Sequence, residues 1–298
     1  MTRPPTLAIA FAGLISVFAA PSIGAGLHAP QTPVFTSRVQ AVLVDVLVTR
    51  GGRPVPGLTA ADFDVRDNAL SQTVALLNVE NLPINAVLVL DMSASTAGRR
   101  LTDVRSATDA LLEGLRPIDR AALTTFNDVI SPRVPLTTDL ASIRNEMKAI
   151  VPDGETAILD GVYAGLMAAQ AETGRSLVVV CTDGRDISSW LDPDEVLESA
   201  RRSNAVIDIV ATGGARRWSV LNDLTEATGG ETAEIESSQQ IRAQFQSILR
   251  DFRSRYVLTF VPTGVAEGGF HRLEVRVRGS RMSVKARPGY IGGPGTSP

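Results

Sequence analysis

Residues 86–95 read Ala-Val-Leu-Val-Leu-Asp-Met-Ser-Ala-Ser and indicate the fold of the chain. The first five are aliphatic without alternation, which is typical of a parallel β-strand that is covered on both faces. Asp91, Ser93 and Ser95 follow directly, so oxygen-bearing side chains alternate in the loop after the strand. In an open α/β sheet, ligands bind at the carboxyl ends of the strands. The stretch therefore predicts a strand that leads into a binding loop.

Strands and helices alternate after this stretch. Apolar residues recur at helical spacing between short aliphatic runs, and helix caps and glycines mark the ends. Repeated βα units predict an α/β fold with a doubly wound, mainly parallel sheet and right-handed crossovers. The predicted helices are residues 98–115, 140–151, 156–171, 193–203, 220–228 and 241–253, and the predicted strands are residues 86–90, 121–126, 176–182, 205–211 and 231–235.

Segments with β-type patterns flank this block on both sides. The N-terminal segment covers residues 34–82, and the C-terminal segment covers residues 256–290. Because the two ends of a domain usually lie near each other, we expect these segments to pack together as a small β-sandwich. The α/β block, residues 83–255, is then an insertion between them. Residues 291–298 are rich in glycine and proline and are predicted to form a flexible tail.

The first 25 residues have the pattern of a secretory signal peptide. Arg3 is followed by an apolar run over residues 7–20, and small residues lead to a cleavage position after Ala25. Pro21 ends the run before it reaches the roughly 20 residues that span a bilayer. An uncleaved N-terminal anchor is the alternative. We expect export to the periplasm or the external medium, with no transmembrane segment in the mature chain.

Composition excludes several classes of function. The formal net charge is -3 and the pI is about 5.5, whereas a nucleic-acid-binding protein needs a basic face. Cys181 is the only cysteine in the sequence, which excludes an intrachain disulfide and a cysteine-based zinc site. It lies in a strand pattern and is expected in the core.

Two further oxygen-bearing residues follow other elements of the block. Thr156 precedes a helix, and Asp183 ends an apolar strand. Carboxylates and hydroxyls are hard ligands, suited to Mg²⁺, Mn²⁺ or Ca²⁺. The alternative is that Asp91 caps the next helix and the serines bind loop amides. The predicted metal ligands are Asp91, Ser93, Ser95, Thr156 and Asp183.

These five residues resemble, in order and context, the metal-ion-dependent adhesion site (MIDAS) of von Willebrand factor A (VWA) domains. The resemblance covers roughly residues 83–255. It implies that Ser93, Ser95 and sometimes Thr156 bind the metal directly, and that Asp91 and Asp183 often act through water. It also implies that Mg²⁺ is the expected cation and that an Asp or Glu carboxylate of a protein partner completes its coordination.

The wider chain resembles a family of bacterial exported "VWFA-related" proteins. The matching motifs are residues 51–59, Asp62-Phe63, residues 228–230, Arg255-Tyr256 and residues 286–290. One position departs from the pattern, because Glu155 stands where that family commonly has glycine. A carboxylate there, and Asp153 nearby, could repel an acidic ligand or change the metal preference.

The sequence therefore predicts an exported, non-enzymatic module for protein binding, adhesion or assembly. Two alternatives stay open: a metal-dependent hydrolase with Asp91 as nucleophile or base, and a structural envelope protein whose metal site is dispensable. Trp190 and Trp218 lie on the expected ligand-facing side. Partial burial is the expected state of both tryptophans, and contact with a partner is the alternative.

Overall fold

The structure of the chain is a computed structural model that describes residues 41–171, 173–183, 186–212, 219–279 and 281–293. The predicted signal peptide and residues 294–298 of the predicted tail lie outside this part of the chain. The described residues form six α-helices and fifteen β-strands. None of these helices is both long enough and apolar enough to cross a membrane.

The predicted helices are all present, and their ends differ from the predicted ends by at most three residues. The helices are α1 (Arg99–Glu113), α2 (Leu140–Ala149), α3 (Ile158–Ala168), α4 (Pro193–Arg202), α5 (Ser219–Thr228) and α6 (Ile241–Arg253). The strands are β1 (Val42–Arg50), β2 (Arg53–Pro54), β3 (Phe63–Asp67), β4 (Leu70–Gln72), β5 (Ala75–Leu76), β6 (Ile84–Asp91), β7 (Arg120–Phe126), β8 (Ile130–Thr137), β9 (Arg175–Thr182), β10 (Val206–Thr212), β11 (Thr232–Ile235), β12 (Tyr256–Phe260), β13 (Gly269–Val277), β14 (Ser283–Lys285) and β15 (Gly289–Gly292).

Six strands form the central sheet in the order β11-β10-β9-β6-β7-β8. The first five pair in parallel, whereas β8 pairs antiparallel with β7, so the sheet is mixed. Every residue of β6 is buried, which explains its aliphatic sequence. Strand β8 is absent from the predicted elements because Pro132 and Pro135 interrupt its pattern. Proline is tolerated there because β8 lies at the edge of the sheet.

Helices cover both faces of the central sheet. Helices α1, α2 and α6 pack on one face, where Leu88 of β6 shares a core with Phe245 of α6. Helices α3, α4 and α5 pack on the other face, where Val89 shares a core with Val162 of α3. Cys181 is buried in the first core, as predicted.

Strands from both ends of the described chain form two smaller sheets. One has the order β14-β1-β12-β5, with β2 paired to β1, and the other has the order β15-β13-β3-β4. Strand β1 pairs antiparallel with β12, and β3 pairs antiparallel with β13. Both sheets contribute side chains to one core, including Val46, Phe63, Leu258 and Leu273. The division of the chain into domains at residues 82 and 255 remains a prediction.

A buried ion pair joins these strands to the central sheet. Arg175, the first residue of β9, donates from Nε to Asp45 Oδ1 of β1 at 2.9 Å. Its guanidinium also donates to the carbonyl of Phe252 at 3.0 Å and lies 4.5 Å from the centre of that ring. The Arg175 and Asp45 side chains are only 5% and 14% exposed, so the buried Arg175 charge depends on Asp45 for compensation.

Candidate metal centre

The carboxyl ends of β6 and β9 bring the predicted ligands together. These strands pair in parallel with Leu90 opposite Cys181, so the next residues, Asp91 and Thr182, lie side by side where the strands end. Asp183 follows Thr182 directly. Residues that are far apart in the sequence therefore meet at one edge of the sheet, where α/β proteins bind ligands.

A chain of hydrogen bonds connects four of the five predicted ligands. Asp91 Oδ1 accepts a hydrogen bond from the Ser93 amide at 2.9 Å, and Asp91 Oδ2 accepts one from Thr182 Oγ1 at 2.7 Å. The Ser93 and Ser95 hydroxyl oxygens are 3.0 Å apart. Ser95 Oγ in turn donates to Asp183 Oδ1 at 2.9 Å.

The fifth predicted ligand, Thr156, lies on an adjacent loop. Backbone hydrogen bonds hold this loop against the serine loop, from the Ala94 amide to Gly154 O at 3.1 Å and from the Asp153 amide to Met92 O at 2.9 Å. Thr156 is buried. The structure thus places all five predicted ligands at the same end of the sheet.

Both carboxylates of the site are buried and need charge compensation. Burial raises the pKa of Asp91, and hydrogen bonds from Thr182 and Ser93 partly offset that rise. The Asp183 side chain is 3% exposed and forms an ion pair with Arg100 of α1. Arg100 Nη1 also donates to the carbonyl oxygen of Ser95 at 3.1 Å.

The donor atoms of the site suit a hard divalent cation. Hydroxyl and carboxylate oxygens are the ligands that Mg²⁺, Mn²⁺ and Ca²⁺ prefer. The Ser93–Ser95 and Ser95–Asp183 oxygen separations, 3.0 Å and 2.9 Å, are those of the hydrogen bonds that join these side chains, and they do not distinguish one of these cations from another. The residues present therefore fit a divalent cation.

Residues 86–185 match the family model of the von Willebrand factor type A domain. The chain contains a VWA domain. A solved structure described as von Willebrand factor type A from Catenulispora acidiphila covers 82% of this chain, and the chain covers 75% of that structure. The TM-score is 0.53 at 13% sequence identity, so this likeness concerns the fold alone.

Relatives in sequence extend beyond the VWA domain. Inter-alpha-trypsin inhibitor heavy chain H1 of Sus scrofa is 22% identical over 246 residues, which are 76% of this chain and 27% of that protein. An uncharacterized protein of Synechocystis sp. is 26% identical over 180 residues, 57% of this chain and 41% of that protein. The chain therefore spans about a quarter of the length of the first relative and less than half of the second.

Two residues at the candidate metal centre are absent from the sequence-based predictions. Arg100 lies in the first turn of α1, where a charged residue is typical of a solvated helix face, and its contact with Asp183 depends on tertiary structure. Thr182 occupies a strand position, and only the parallel register of β6 and β9 shows that its hydroxyl reaches Asp91. The predicted strands, residues 86–90 and 176–182, do not determine that register, because aligning their last residues would pair Leu90 with Thr182 instead of Cys181.

The loop after β9 differs from the sequence-based prediction in the burial of its tryptophan. Trp190 is 92% exposed, so the expectation of partial burial is wrong for this residue. Trp218 lies outside the described residues. Glu155, which departs from the related family's pattern, and Asp153 are both exposed on the loop that carries Thr156.

Proposed function

We propose that this chain is an exported protein-binding module whose VWA domain captures an acidic side chain of a protein partner through one divalent cation. Mg²⁺ is the proposed cation, with Mn²⁺ and Ca²⁺ as alternatives. Adhesion to a partner, or assembly with one, is the proposed outcome. Membership of the exported VWFA-related family is part of this proposal, and it rests on the motifs of the sequence.

The observation that carries the proposal is the chain of hydroxyl and carboxylate oxygens at the end of the sheet. Ser93, Ser95 and Thr156 would hold the cation directly. Asp91 positions Ser93, because its carboxylate accepts the hydrogen bond of the Ser93 amide. A bound divalent cation supplies an electrophilic position that accepts a carboxylate oxygen.

Binding is favoured over hydrolysis by the surroundings of Asp91. Both of its carboxylate oxygens accept hydrogen bonds, and the residue is 3% exposed. A nucleophile or general base must reach its substrate within hydrogen-bond distance, and these contacts leave Asp91 poorly placed for either role. His271, which a hydrolytic triad could have used as its base, is instead buried in the smaller sheets and bonded to Asp67 at 2.9 Å.

The test is calorimetric titration of the mature chain with MgCl₂, MnCl₂ and CaCl₂. We expect saturable binding by the parent, with loss in Ser93→Ala and Asp91→Asn. Ser199→Ala, which removes a hydroxyl from the outer surface of α4, is the matched control and should bind as the parent does. Circular dichroism and thermal unfolding establish that each variant is folded.

The opposite result would be a folded parent that binds none of the three cations. The metal-dependent mechanism would then be wrong, and the smaller sheets would become the better candidate for partner contact. The structural alternative makes a different prediction, in which Asp91→Asn abolishes metal binding but leaves partner binding unchanged.

Export is tested separately by expressing residues 1–298 in a bacterial host. Fractionation should recover a product from the periplasm or medium, and N-terminal sequencing should find cleavage near Ala25. A product that stays in the cytoplasm with an intact N-terminus would contradict this part of the proposal. A product that stays in the membrane with its N-terminus intact would support the alternative of an uncleaved anchor.

A further inference from the structure

Four large apolar side chains are exposed on the loops beside the candidate metal centre. Val129, Val151, Ile187 and Trp190 are 60%, 83%, 65% and 92% exposed. Single apolar residues are common on protein surfaces, whereas several on neighbouring loops mark an interaction site. We call these four residues the apolar rim.

The loops that carry the apolar rim are hydrogen-bonded to one another. On one side, Asn127 Nδ2 donates to Asp153 O at 2.7 Å, and the Ala157 amide donates to Asn127 O at 2.8 Å. On the other side, the Ile187 amide donates to Thr156 O at 3.0 Å. The rim therefore lies on the Thr156 side of the site. A surface that is fixed before binding loses less conformational entropy when a partner docks.

The Trp190 backbone is hydrogen-bonded to α3, whereas its indole ring is exposed to solvent. Asp160 of α3 accepts hydrogen bonds from the Trp190 and Leu191 amides, each at 3.0 Å. Ser189 Oγ accepts the Leu159 amide at 3.1 Å, which fixes the loop to the start of α3. Tryptophan buries a large area with few rotatable bonds, and it is enriched among the residues that dominate binding energies.

The charges around the site are distributed unevenly. On the Thr156 side, Asp128, Asp153 and Glu155 are exposed, and none of them forms an ion pair within the part of the chain that the structure describes. Arg100, at the start of α1, lies instead beside Asp183 and Ser95. A partner that places more negative charge over the acidic side would be repelled, whereas a basic side chain there is complementary.

We infer that the apolar rim docks a protein segment that places an apolar side chain against Trp190 and Ile187, and a Lys or Arg near Glu155, beside its metal-binding carboxylate. This inference rests on the proposed function, because the carboxylate sets the position of the segment. It defines the partner more narrowly, because an acidic residue alone would not be sufficient for the segment to bind.

The test begins with a displayed library of random short peptides, selected on the parent protein in MgCl₂. We expect the selected peptides to contain Asp or Glu together with an apolar and a basic residue. Their affinity is then measured by calorimetry with each variant. Trp190→Ser and Ile187→Ser should each weaken binding about tenfold or more, the loss typical of a central interface residue. Ile118→Ser, an exposed apolar residue in the turn before β7 at the other end of the sheet, is the matched control.

A spectroscopic measurement reports contact with the rim directly. The sequence has two tryptophans, so Trp218→Phe leaves Trp190 as the sole indole. Its emission should shift to the blue when a selected peptide is added with MgCl₂. Glu155→Gln should weaken peptides that contain the basic residue, and it should have little effect once that residue of the peptide is replaced by serine.

The outcomes separate the inference from the proposed function, because Mg²⁺ affinity is measured for every variant. Peptides that need Mg²⁺ but bind Trp190→Ser and Ile187→Ser as tightly as the parent would refute the role of the apolar rim and leave the proposed function intact. A selection that yields no Mg²⁺-dependent peptide, from a parent that binds Mg²⁺, would also overturn it. A parent that binds no cation would refute the proposed function, and peptides that still depend on Trp190 would then show that the rim acts without metal.

Discussion

Replacing Arg100 by Gln tests how the site compensates its buried charge. Arg100 forms an ion pair with Asp183, whose side chain is 3% exposed, while the arginine side chain is 31% exposed. The substitution removes the positive charge and keeps a polar side chain of similar length. It is expected to have opposite effects on the metal-free protein and on metal affinity.

The metal-free protein should lose stability. Removing one partner of a buried pair costs about 3–5 kcal/mol, whereas an exposed pair contributes about 0–1 kcal/mol. Arg100 is partly exposed, so we expect a loss of about 2 kcal/mol between these limits. For a chain of this size, that loss lowers the melting temperature by roughly 3–4 °C.

Metal affinity should rise in the same variant. A divalent cation held by Ser93, Ser95 and Thr156 would be repelled by the Arg100 guanidinium, which is paired with the neighbouring Asp183. At separations of about 5–8 Å, a +2 and a +1 charge repel by about 1–1.7 kcal/mol even at the dielectric constant of water. Removing that repulsion corresponds to Mg²⁺ binding that is tighter by about 5- to 20-fold. The variant should therefore melt at a lower temperature without MgCl₂ and show a larger stabilisation by MgCl₂.

The assay is thermal unfolding across a MgCl₂ series, with calorimetry for the binding constant. Arg99→Gln is the matched control, because Arg99 is 74% exposed and lies 3.9 Å from Asp103, outside the site. This control should change neither the melting temperature nor the Mg²⁺ affinity appreciably. Mg²⁺ affinity that is unchanged or weaker in Arg100→Gln would refute the idea that the arginine and the cation compete.

Three further predictions concern buried charges and the buried thiol. Asp45→Ala leaves the Arg175 charge buried and should lower the free energy of unfolding in urea by about 3–5 kcal/mol. Asp64→Ala, at an exposed ion pair, should lower it by less than about 1 kcal/mol. Equal losses would show that burial is not the cause. Burial raises the pKa of Asp208 to about 6. Between about pH 4 and pH 6 the folded state therefore keeps a proton that the unfolded state has released. The free energy of unfolding should fall as the pH rises through this range. Asp208→Asn should remove that slope of roughly 1.4 kcal/mol per pH unit from urea midpoints, and an identical slope in both proteins would contradict the assignment. Burial also raises the pKa of the Cys181 thiol to about 12. Iodoacetamide at neutral pH should therefore alkylate only the unfolded chain, which mass spectrometry would record. Rapid labelling of the native protein would contradict this burial.

The sequence was most informative where local pattern and burial agree. The residues of β6 are buried on both faces of the sheet, and this is what an unbroken aliphatic run predicts. Helix α4 begins at a proline after Asp192, whose side chain accepts a hydrogen bond from the Asp194 amide, as its capping sequence indicates. The sequence does not predict strand β8, because Pro132 and Pro135 oppose strand propensity and only its position at the sheet edge makes them acceptable.

The candidate site was predictable in position but not in its interactions. Asp91 and Asp183 follow aliphatic runs, so their meeting at one edge of the sheet follows from parallel pairing. Which side chain compensates Asp183, and whether Trp190 is covered, depend on how α1 and the loop after β9 pack. No periodicity or spacing in the sequence reports these contacts.

Because both carboxylates are buried, the free energy of metal binding depends on Arg100 as well as on the ligands. An uncompensated buried charge is costly, and the structure compensates Asp91 by hydrogen bonds and Asp183 by the arginine. A divalent cation held by Ser93 and Ser95 would compensate the same charges and reduce the need for Arg100. Metal affinity then depends on the difference in free energy between two forms of compensation, as well as on the donor oxygens. A chain with the same five ligands and a neutral residue at position 100 should therefore bind Mg²⁺ more tightly, although its metal-free form would be less stable.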